Sequence, residues 1–411
     1  MIPISKANEI LAREVRPLAT ERVELEESVG RILAENVVAD TDLPPFDRSQ
    51  MDGFGLIAVD TTNAPVSLKI VGESAAGNGW HNVVKSGEAV RIMTGAPVPK
   101  GADAVQKIEL TSEVSSMGFK GASRAHAENE TVSVLKTVEK GNSIVRRGAE
   151  IKKGAVVFRK GEIVTTNMIA ALAAFGYAKV KVSRRPRLAV LATGSEIVPS
   201  DKKPKRDQIR NSNSPMVRAL AEKFGCEVEV LPLVHDNLDA LKKAIAGAVA
   251  ISDILVITGG VSVGKYDLTK VALADLRAQI HFERVRLKPG KPTVFATLGK
   301  KLVFGLPGNP VSVAVTFQLF VRTVILAKQG CAETGMKLGY AVAASAIKGT
   351  KERDTYLPAI LTTNKSGQLV AEPTKWLGSS DFIGYSRAEA LVIVPSGKRF
   401  EKGGVVRIAW L

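Results

Sequence analysis

Three acidic residues in this sequence each follow a stretch of apolar, β-branched residues. Glu196 comes after Arg187–Thr193, Asp236 after Glu227–Val234, and Asp267 after Ile254–Thr258. If the three stretches are neighbouring strands of one open α/β sheet, the acids gather in the crevice outside the strands' carboxyl ends. Sheets of this kind bind ligands there. Carboxylate oxygens suit a hard cation, and Mg²⁺ takes few of them while keeping waters and phosphate oxygens. Taken singly, Asp236 or Asp267 could equally be a helix cap. Three acids around one crevice, beside glycine-rich turns, read as a Mg²⁺ site formed by Glu196, Asp236 and Asp267.

The same edge carries the means to hold an anion. Thr258-Gly259-Gly260-Val261-Ser262-Val263-Gly264-Lys265-Tyr266-Asp267 offers Gly259, Gly260, Ser262 and Gly264. These positions permit tight turns and exposed backbone N–H groups that suit a phosphate. The stretch nearly spells a P-loop, but Tyr266 stands where that motif needs a Ser or Thr hydroxyl on Mg²⁺, so a P-loop nucleotidase is not expected. Lys288-Pro289-Gly290-Lys291-Pro292 sets two lysines on one proline-stiffened turn. Leu306-Pro307-Gly308-Asn309-Pro310 opens a long helix, whose free N–H groups and dipole favour an anion. Turn chemistry alone would explain either segment; beside the acids, they read as an anion-and-metal site.

Positioning such a site requires alternating strands and helices. Strands are expected at 187–193, 227–234, 254–258, 281–287 and 302–305, and helices near 215–224, 237–250, 267–277 and 310–328. The alternation argues a parallel sheet covered on both faces. Around this α/β domain, placed at 178–329, three further regions are expected. Residues 1–43 and 141–177 form an N-terminal domain whose helices, 4–15 (with Ser5 as N-cap) and 165–176, pack together. Residues 44–140 form an inserted β-rich domain, and residues 330–411 a small C-terminal β domain.

Composition narrows the function classes. At 411 residues the chain is too long for one ordinary core. Two cysteines, Cys226 and Cys331, cannot frame a disulfide scaffold and suit a reducing cytoplasm. With only four histidines besides, a protein-held zinc or iron–sulfur centre is not expected. No secretory signal is visible at the N-terminus, and no apolar run is expected to cross a membrane. Basic residues exceed acidic ones, 57 against 41, but aromatic residues are only 5% of the chain. That is thin for base stacking, so an anionic small ligand is expected rather than nucleic acid. The Lys202–Arg206 run reads as a solvated loop.

Two dense loops lie in the N-terminal half: Pro44-Pro45-Phe46-Asp47-Arg48-Ser49-Gln50-Met51-Asp52-Gly53-Phe54, and Met93-Thr94-Gly95-Ala96-Pro97-Val98-Pro99-Lys100-Gly101-Ala102-Asp103-Ala104-Val105. Pattern alone does not link them to the α/β region. Together with Arg184–Glu196, Thr258–Asp267, Lys288–Pro292 and Gly305–Ser312, however, they closely resemble the MoeA family of molybdopterin molybdenumtransferases, to which the gephyrin E domain also belongs. Six motifs in order span about residues 5–395.

The resemblance implies an α/β multidomain fold: a central parallel-sheet domain of the MogA type, a mixed N-terminal domain carrying a β-rich insertion, and a C-terminal β-barrel-like domain. It implies transfer of molybdenum from molybdate to the dithiolene of adenylylated molybdopterin, with Mg²⁺ assisting and AMP released. Glu196, Asp236 and Asp267 would handle Mg²⁺ and the diphosphate, and Lys288 and Lys291 would stabilise negative charge. Pro307 and Pro310, with Gly308 and Asn309, would shape the molybdate pocket. Asp52 and Thr94 match polar residues that reach the cleft of a partner subunit, which implies a cytoplasmic homodimer. A molybdopterin adenylyltransferase and apo-molybdoenzymes are the implied protein partners. The chain departs from the pattern at Gly148-Ala149-Glu150-Ile151, where Gly-Glu-Asp-Ile is common and Glu150 stands in for an aspartate. It departs also at Phe54-Gly55 and Gln106, and Gly378-Ser379-Ser380-Asp381 matches only loosely. Two other classes remain open on the residues: an adenylyltransferase or nucleotide hydrolase on the same α/β fold, and a non-catalytic scaffold.

Overall fold

The computed structural model describes residues 1–114, 130–260, 268–374 and 378–411. The chain forms two units, one of residues 1–35, 159–171 and 177–411, the other of residues 36–158 and 172–176.

The larger unit is built on a six-stranded sheet in the order Glu227–Val230, Arg187–Ala192, Ile254–Thr258, Lys301–Leu306, Val294–Leu298, Gln279–Phe282. The first four strands are parallel, Val294–Leu298 runs against them, and Gln279–Phe282 pairs antiparallel with it at the edge. Every residue of Ile254–Thr258 is buried, as a strand covered on both faces requires. Its side chains alternate between two cores. Ile254 and Val256, with Leu188, Val190 and Phe304, meet the helices Asn213–Lys223 and Pro310–Lys328. Leu255 and Ile257, with Ala189, Leu191 and Val303, meet Leu238–Ile251 and Leu268–Asp275.

Several expected elements shift. The strand expected over 227–234 ends at Val230, ahead of Pro232, which has no N–H to give a ladder. The stretch 281–287 divides into Gln279–Phe282 and the short strand Leu287–Lys288. Val294–Leu298 was not anticipated; it turns back through Gly299 onto Lys301–Leu306 and gives the sheet its antiparallel edge. The helix Ile4–Glu14 has Pro3, not Ser5, at its cap. It buries Ala7 and Leu11 in the α/β core beside Val324 and Ile325, a core that does not include the 165–176 segment with which it was expected to pair. The helical stretch Pro310–Lys328 is, by length and composition only, apolar enough to cross a membrane, but 78% of its most apolar window is buried inside the protein. Its apolarity is that of a core helix.

The C-terminal strands form a second sheet in the order Leu287–Lys288, Asp354–Thr363, Leu369–Pro373, Leu338–Ala343, Val405–Trp410, Ala390–Val394. Ala390–Val394 pairs back onto Asp354–Thr363, so the strands close into a small barrel. Ala341, Ala359, Ala371 and Ala390 fill its interior beside Val392 and Ile408, small residues where a narrow barrel has little room. Leu287–Lys288 joins this sheet by parallel pairing with Asp354-Thr355.

The smaller unit carries a six-stranded sheet in the order Ala104–Lys107, Gly53–Leu56, Glu88–Ile92, Val66–Ser74, Thr131–Val134, Thr111–Val114. Phe54, Leu56, Leu68, Ala89 and Val132 form its core. Gly53 has no alternative: a Cβ there would lie 1.9 Å from the Gln106 carbonyl oxygen of the adjacent strand.

Candidate active site

A cavity of about 640 Å³ opens at the carboxyl ends of the parallel strands. Ala192-Thr193 and Glu196 line it from one strand end, Thr258-Gly259 from the next, and Gly308-Asn309-Pro310 from the third. The turns are held close by glycines. A Cβ at Gly259 would come within 2.2 Å of the Thr193 carbonyl oxygen, and one at Gly260 within 2.8 Å of both Thr193 Oγ1 and Thr269 Oγ1. Neither hydroxyl, both buried, has a hydrogen-bond partner among the described residues, and buried polar atoms rarely remain so.

Asp236 is not a helix cap. Asn237 takes that role, its Oδ1 accepting from the Ala240 N–H at 2.9 Å. The Asp236 carboxylate instead accepts from Ser195 Oγ at 3.0 Å and the Ser195 N–H at 3.3 Å. Glu196 folds back over the same turn, its Oε2 lying 2.6 Å from where a Gly194 Cβ would be. Two exposed carboxylates thus share the Thr193–Glu196 turn, although Asp236 does not line the cavity. Among the described residues no group of three or more His, Cys, Asp or Glu side chains gathers around one point. Asp267, Ser262 and Gly264 lie outside the described residues.

The lysine turn is fixed from below. Thr293 Oγ1 donates to the Gly290 carbonyl at 2.7 Å. Gly290 has a φ of +114°, and a Cβ on it would lie 2.4 Å from Thr316 Cγ2. Lys288 is exposed and Lys291 half-buried; neither lines the cavity. Pro307 is buried below the Gly308 turn, while Gly308 and Asn309 are exposed.

Sequence reasoning missed several lining residues. Arg210, Asn211 and Asn213 come from the polar stretch at the start of the helix expected near 215–224. Asn213 Nδ2 donates to the Gly308 carbonyl at 2.7 Å, while its Oδ1 is buried without a partner. Ser380 and Phe382 come from the C-terminal region. Their loop docks on the helix start: the Val311 N–H donates to the Ser379 carbonyl at 3.1 Å, and Asn309 Nδ2 donates to Ser379 Oγ at 2.7 Å. One N–H expected to face an anion is therefore already used. Asn309 is expected from its helix-opening turn, whereas the only local signal for Asn213 is the Asn-rich run 211–213.

A different constellation occupies the smaller unit. Asp52 Oδ1 accepts from both the Thr94 N–H at 2.7 Å and Thr94 Oγ1 at 2.9 Å, and these bonds hold its carboxyl below the usual range. Glu150 pairs with Arg48 at 3.3 Å. Nearby Asp47 meets Arg146 at 2.6 Å, and Asp42 meets Arg147 at 2.6 Å. Phe46, Met51 and Met93 are exposed on these loops.

Comparison with known proteins is consistent along the whole chain. Residues 2–176 match the MoeA N-terminal region (domain I and II), residues 189–327 a probable molybdopterin binding domain, and residues 340–411 the MoeA C-terminal region (domain IV). A molybdopterin molybdenumtransferase of Staphylococcus aureus (strain COL) is 34% identical over 407 residues, 98% of this chain and 94% of its own length. One from Staphylococcus epidermidis (strain ATCC 12228) is 33% identical over 94% of this chain and 90% of its own length. The crystal structure of the molybdopterin biosynthesis MoeA protein from Pyrococcus horikoshii OT3 superposes with a TM-score of 0.79 at 28% identity, covering 100% of both chains. The chain belongs to the MoeA family, the molybdopterin molybdenumtransferases of molybdenum cofactor biosynthesis.

Proposed function

We propose that this protein inserts molybdenum, supplied as molybdate, into the dithiolene of adenylylated molybdopterin and releases AMP. The observation that carries this reading is the cavity at the carboxyl edge. It joins Glu196, the Thr258-Gly259 turn and the Gly308–Pro310 turn in a chain whose relatives over nearly its full length bear this activity in their names. A volume of about 640 Å³ suits a nucleotide-sized substrate. The substrate brings its own sulfur ligands, so the protein needs no cysteine or histidine cluster to hold the metal being transferred.

Mg²⁺ fits the donor set. Glu196 and Asp236 offer exposed carboxylate oxygens on one turn, with Asp267 as the third expected ligand, and two or three carboxylates completed by water and phosphate oxygens are what this ion takes. Bound there, it would neutralise charge on the diphosphate. The protein's own part is to orient the substrate: the glycine turns at the strand ends admit the phosphates, and Lys288 and Lys291, on a rigid turn that follows a strand of the second sheet, would balance negative charge. Asn213 Oδ1 and Thr193 Oγ1, which have no hydrogen-bond partner among the described residues, are available to polar groups of the ligand.

Asp52, Thr94 and Glu150 complete the reading as elements of an intersubunit site in a cytoplasmic homodimer. The support is an exposed carboxylate locked by Thr94 among exposed Phe46, Met51 and Met93, a combination suited to meeting another surface. A molybdopterin adenylyltransferase acting on ATP, or a nucleotide hydrolase, is the second reading. It is less well supported, because regions on both sides of the α/β sheet match the longer family. The test is to incubate purified protein with adenylylated molybdopterin, Mg²⁺ and molybdate, and to measure activation of an added apo-molybdoenzyme. Activation that needs molybdate supports the proposal; equal activation without molybdate removes it.

A further inference from the structure

The α/β sheet has a second large cavity at its other end. It measures about 660 Å³ and is lined by Glu14, Arg16, Pro17, Leu18, Asp253, Gly299, Lys300, Lys301 and Lys328. Asp253 immediately precedes the strand Ile254–Thr258, whose far end opens into the candidate active site. A five-residue strand rises roughly 16 Å, so the two cavities are separated by the thickness of the sheet's core.

Four cationic side chains face this space against two carboxylates. Both carboxylates have other company. Asp253 accepts from Arg184 at 2.9 Å and from the Arg187 N–H at 2.9 Å. Glu14 lies 3.9 Å from His281. Among the cations, Lys301 donates to the Ser252 carbonyl at 2.6 Å, and Arg16 to the Arg13 and Val15 carbonyls. Lys328 differs from them. The residue is only 6% exposed, it lines the cavity, and its ammonium makes no hydrogen bond or ion pair among the described residues, although its carbonyl accepts from the Leu18 N–H at 2.8 Å. An ammonium has three donors, and a largely buried one is costly unless a partner meets it. Burial lowers its pKa, an effect that Asp253 opposes and Lys301 and Arg184 reinforce.

We propose that this cavity binds a small phosphate-bearing anion, with Lys328 as its buried anchor and Lys300 and Arg16 at its mouth. A tetrahedral oxyanion accepts from several donors at once, which matches ammonium and guanidinium groups converging from three chain segments. The volume exceeds that of free phosphate and leaves room for the organic part of a phosphomonoester. This site is independent of the carboxyl-edge chemistry: it shares no lining residue with the candidate active site.

Isothermal titration of the full chain with inorganic phosphate and with glycerol 3-phosphate, at fixed ionic strength, tests this. Saturable binding is expected, weakened about tenfold or more by Lys328→Met and retained in Lys243→Ala, an exposed lysine outside both cavities. Tighter binding of glycerol 3-phosphate would assign the site to phosphomonoesters; tighter binding of phosphate would assign it to the free anion. If Lys328→Met does not fold, Lys300→Ser, at an exposed position, carries the test and should weaken binding severalfold. Absence of saturable binding, or binding unchanged in Lys328→Met and Lys300→Ser, overturns the proposal.

Discussion

The carboxyl edge of the α/β sheet and the Asp52 loops of the smaller unit hold their acidic groups by different means. At the sheet edge, Glu196 and Asp236 hang on one turn whose backbone is fixed by a core of wholly buried strands. Neither has an ion-pair partner among the described residues. In the smaller unit each carboxylate is bound by its own neighbours: Asp52 by Thr94, Asp47 by Arg146, Asp42 by Arg147, Glu150 by Arg48. The first arrangement leaves charge available for a cation or a substrate. The second spends most of it on holding loops in place, and leaves Asp52, bound only by neutral donors, as the carboxylate still able to act on something else.

That contrast can be broken experimentally, and the largest effect belongs to the sheet edge. Glu196→Gln or Asp236→Asn should lower turnover about a hundredfold or more while thermal unfolding stays nearly unchanged. A large fall in melting temperature would mean that these acids hold structure instead. Next comes the division of labour between subunits. Mixing Asp52→Ala chains with Glu196→Gln chains under exchange should restore about a quarter of wild-type turnover, since half the dimers are mixed and each regains one intact site. No recovery would place both residues in a site made by one chain.

A smaller effect is expected from the lysine turn. Gly290→Ala puts a methyl against Thr316 at a backbone φ of +114° and should cost about 1–3 kcal/mol in urea unfolding, with a parallel loss of activity as Lys288 and Lys291 move. The smallest effect separates the two regions by pH. Asp42, Asp47 and Asp52 are all held below the ordinary value of 3.8. Their stabilisation is present above that value and lost as pH falls through the lowered ones. Melting curves between pH 5 and pH 2.5 should show the decline only below about pH 4, and Asp42→Asn should flatten it. A decline centred near pH 6 would contradict the assignment.

The sheet edge was legible in the sequence because its rule is positional. An apolar strand followed by a polar, glycine-rich turn identifies a strand end, and Ile254–Thr258 was found with its true limits. Asp236 was placed there before it could be told from a cap; only Asn237 taking the cap separated the two meanings. What stayed hidden were contributions from distant chain. Nothing local in Ser380 or Phe382 says that a turn after the barrel strands lines the cavity. Asn213 looks like any helix-start asparagine until its amide is seen on the Gly308 carbonyl. Val294–Leu298 was missed because its pairing is decided by a hairpin through Gly299, not by its own pattern. The Asp52 loops had no positional rule at all and were linked to chemistry only by resemblance.

If the carboxyl-edge cavity couples molybdate to cleavage of the adenylyl group, as proposed, AMP release reports that coupling. Purified protein is incubated with adenylylated molybdopterin and Mg²⁺, and AMP is followed as molybdate or tungstate is titrated in. AMP release is expected to rise and saturate with oxyanion in the wild type and to be absent in Asp236→Asn. Release of AMP at the same rate without any oxyanion would contradict it.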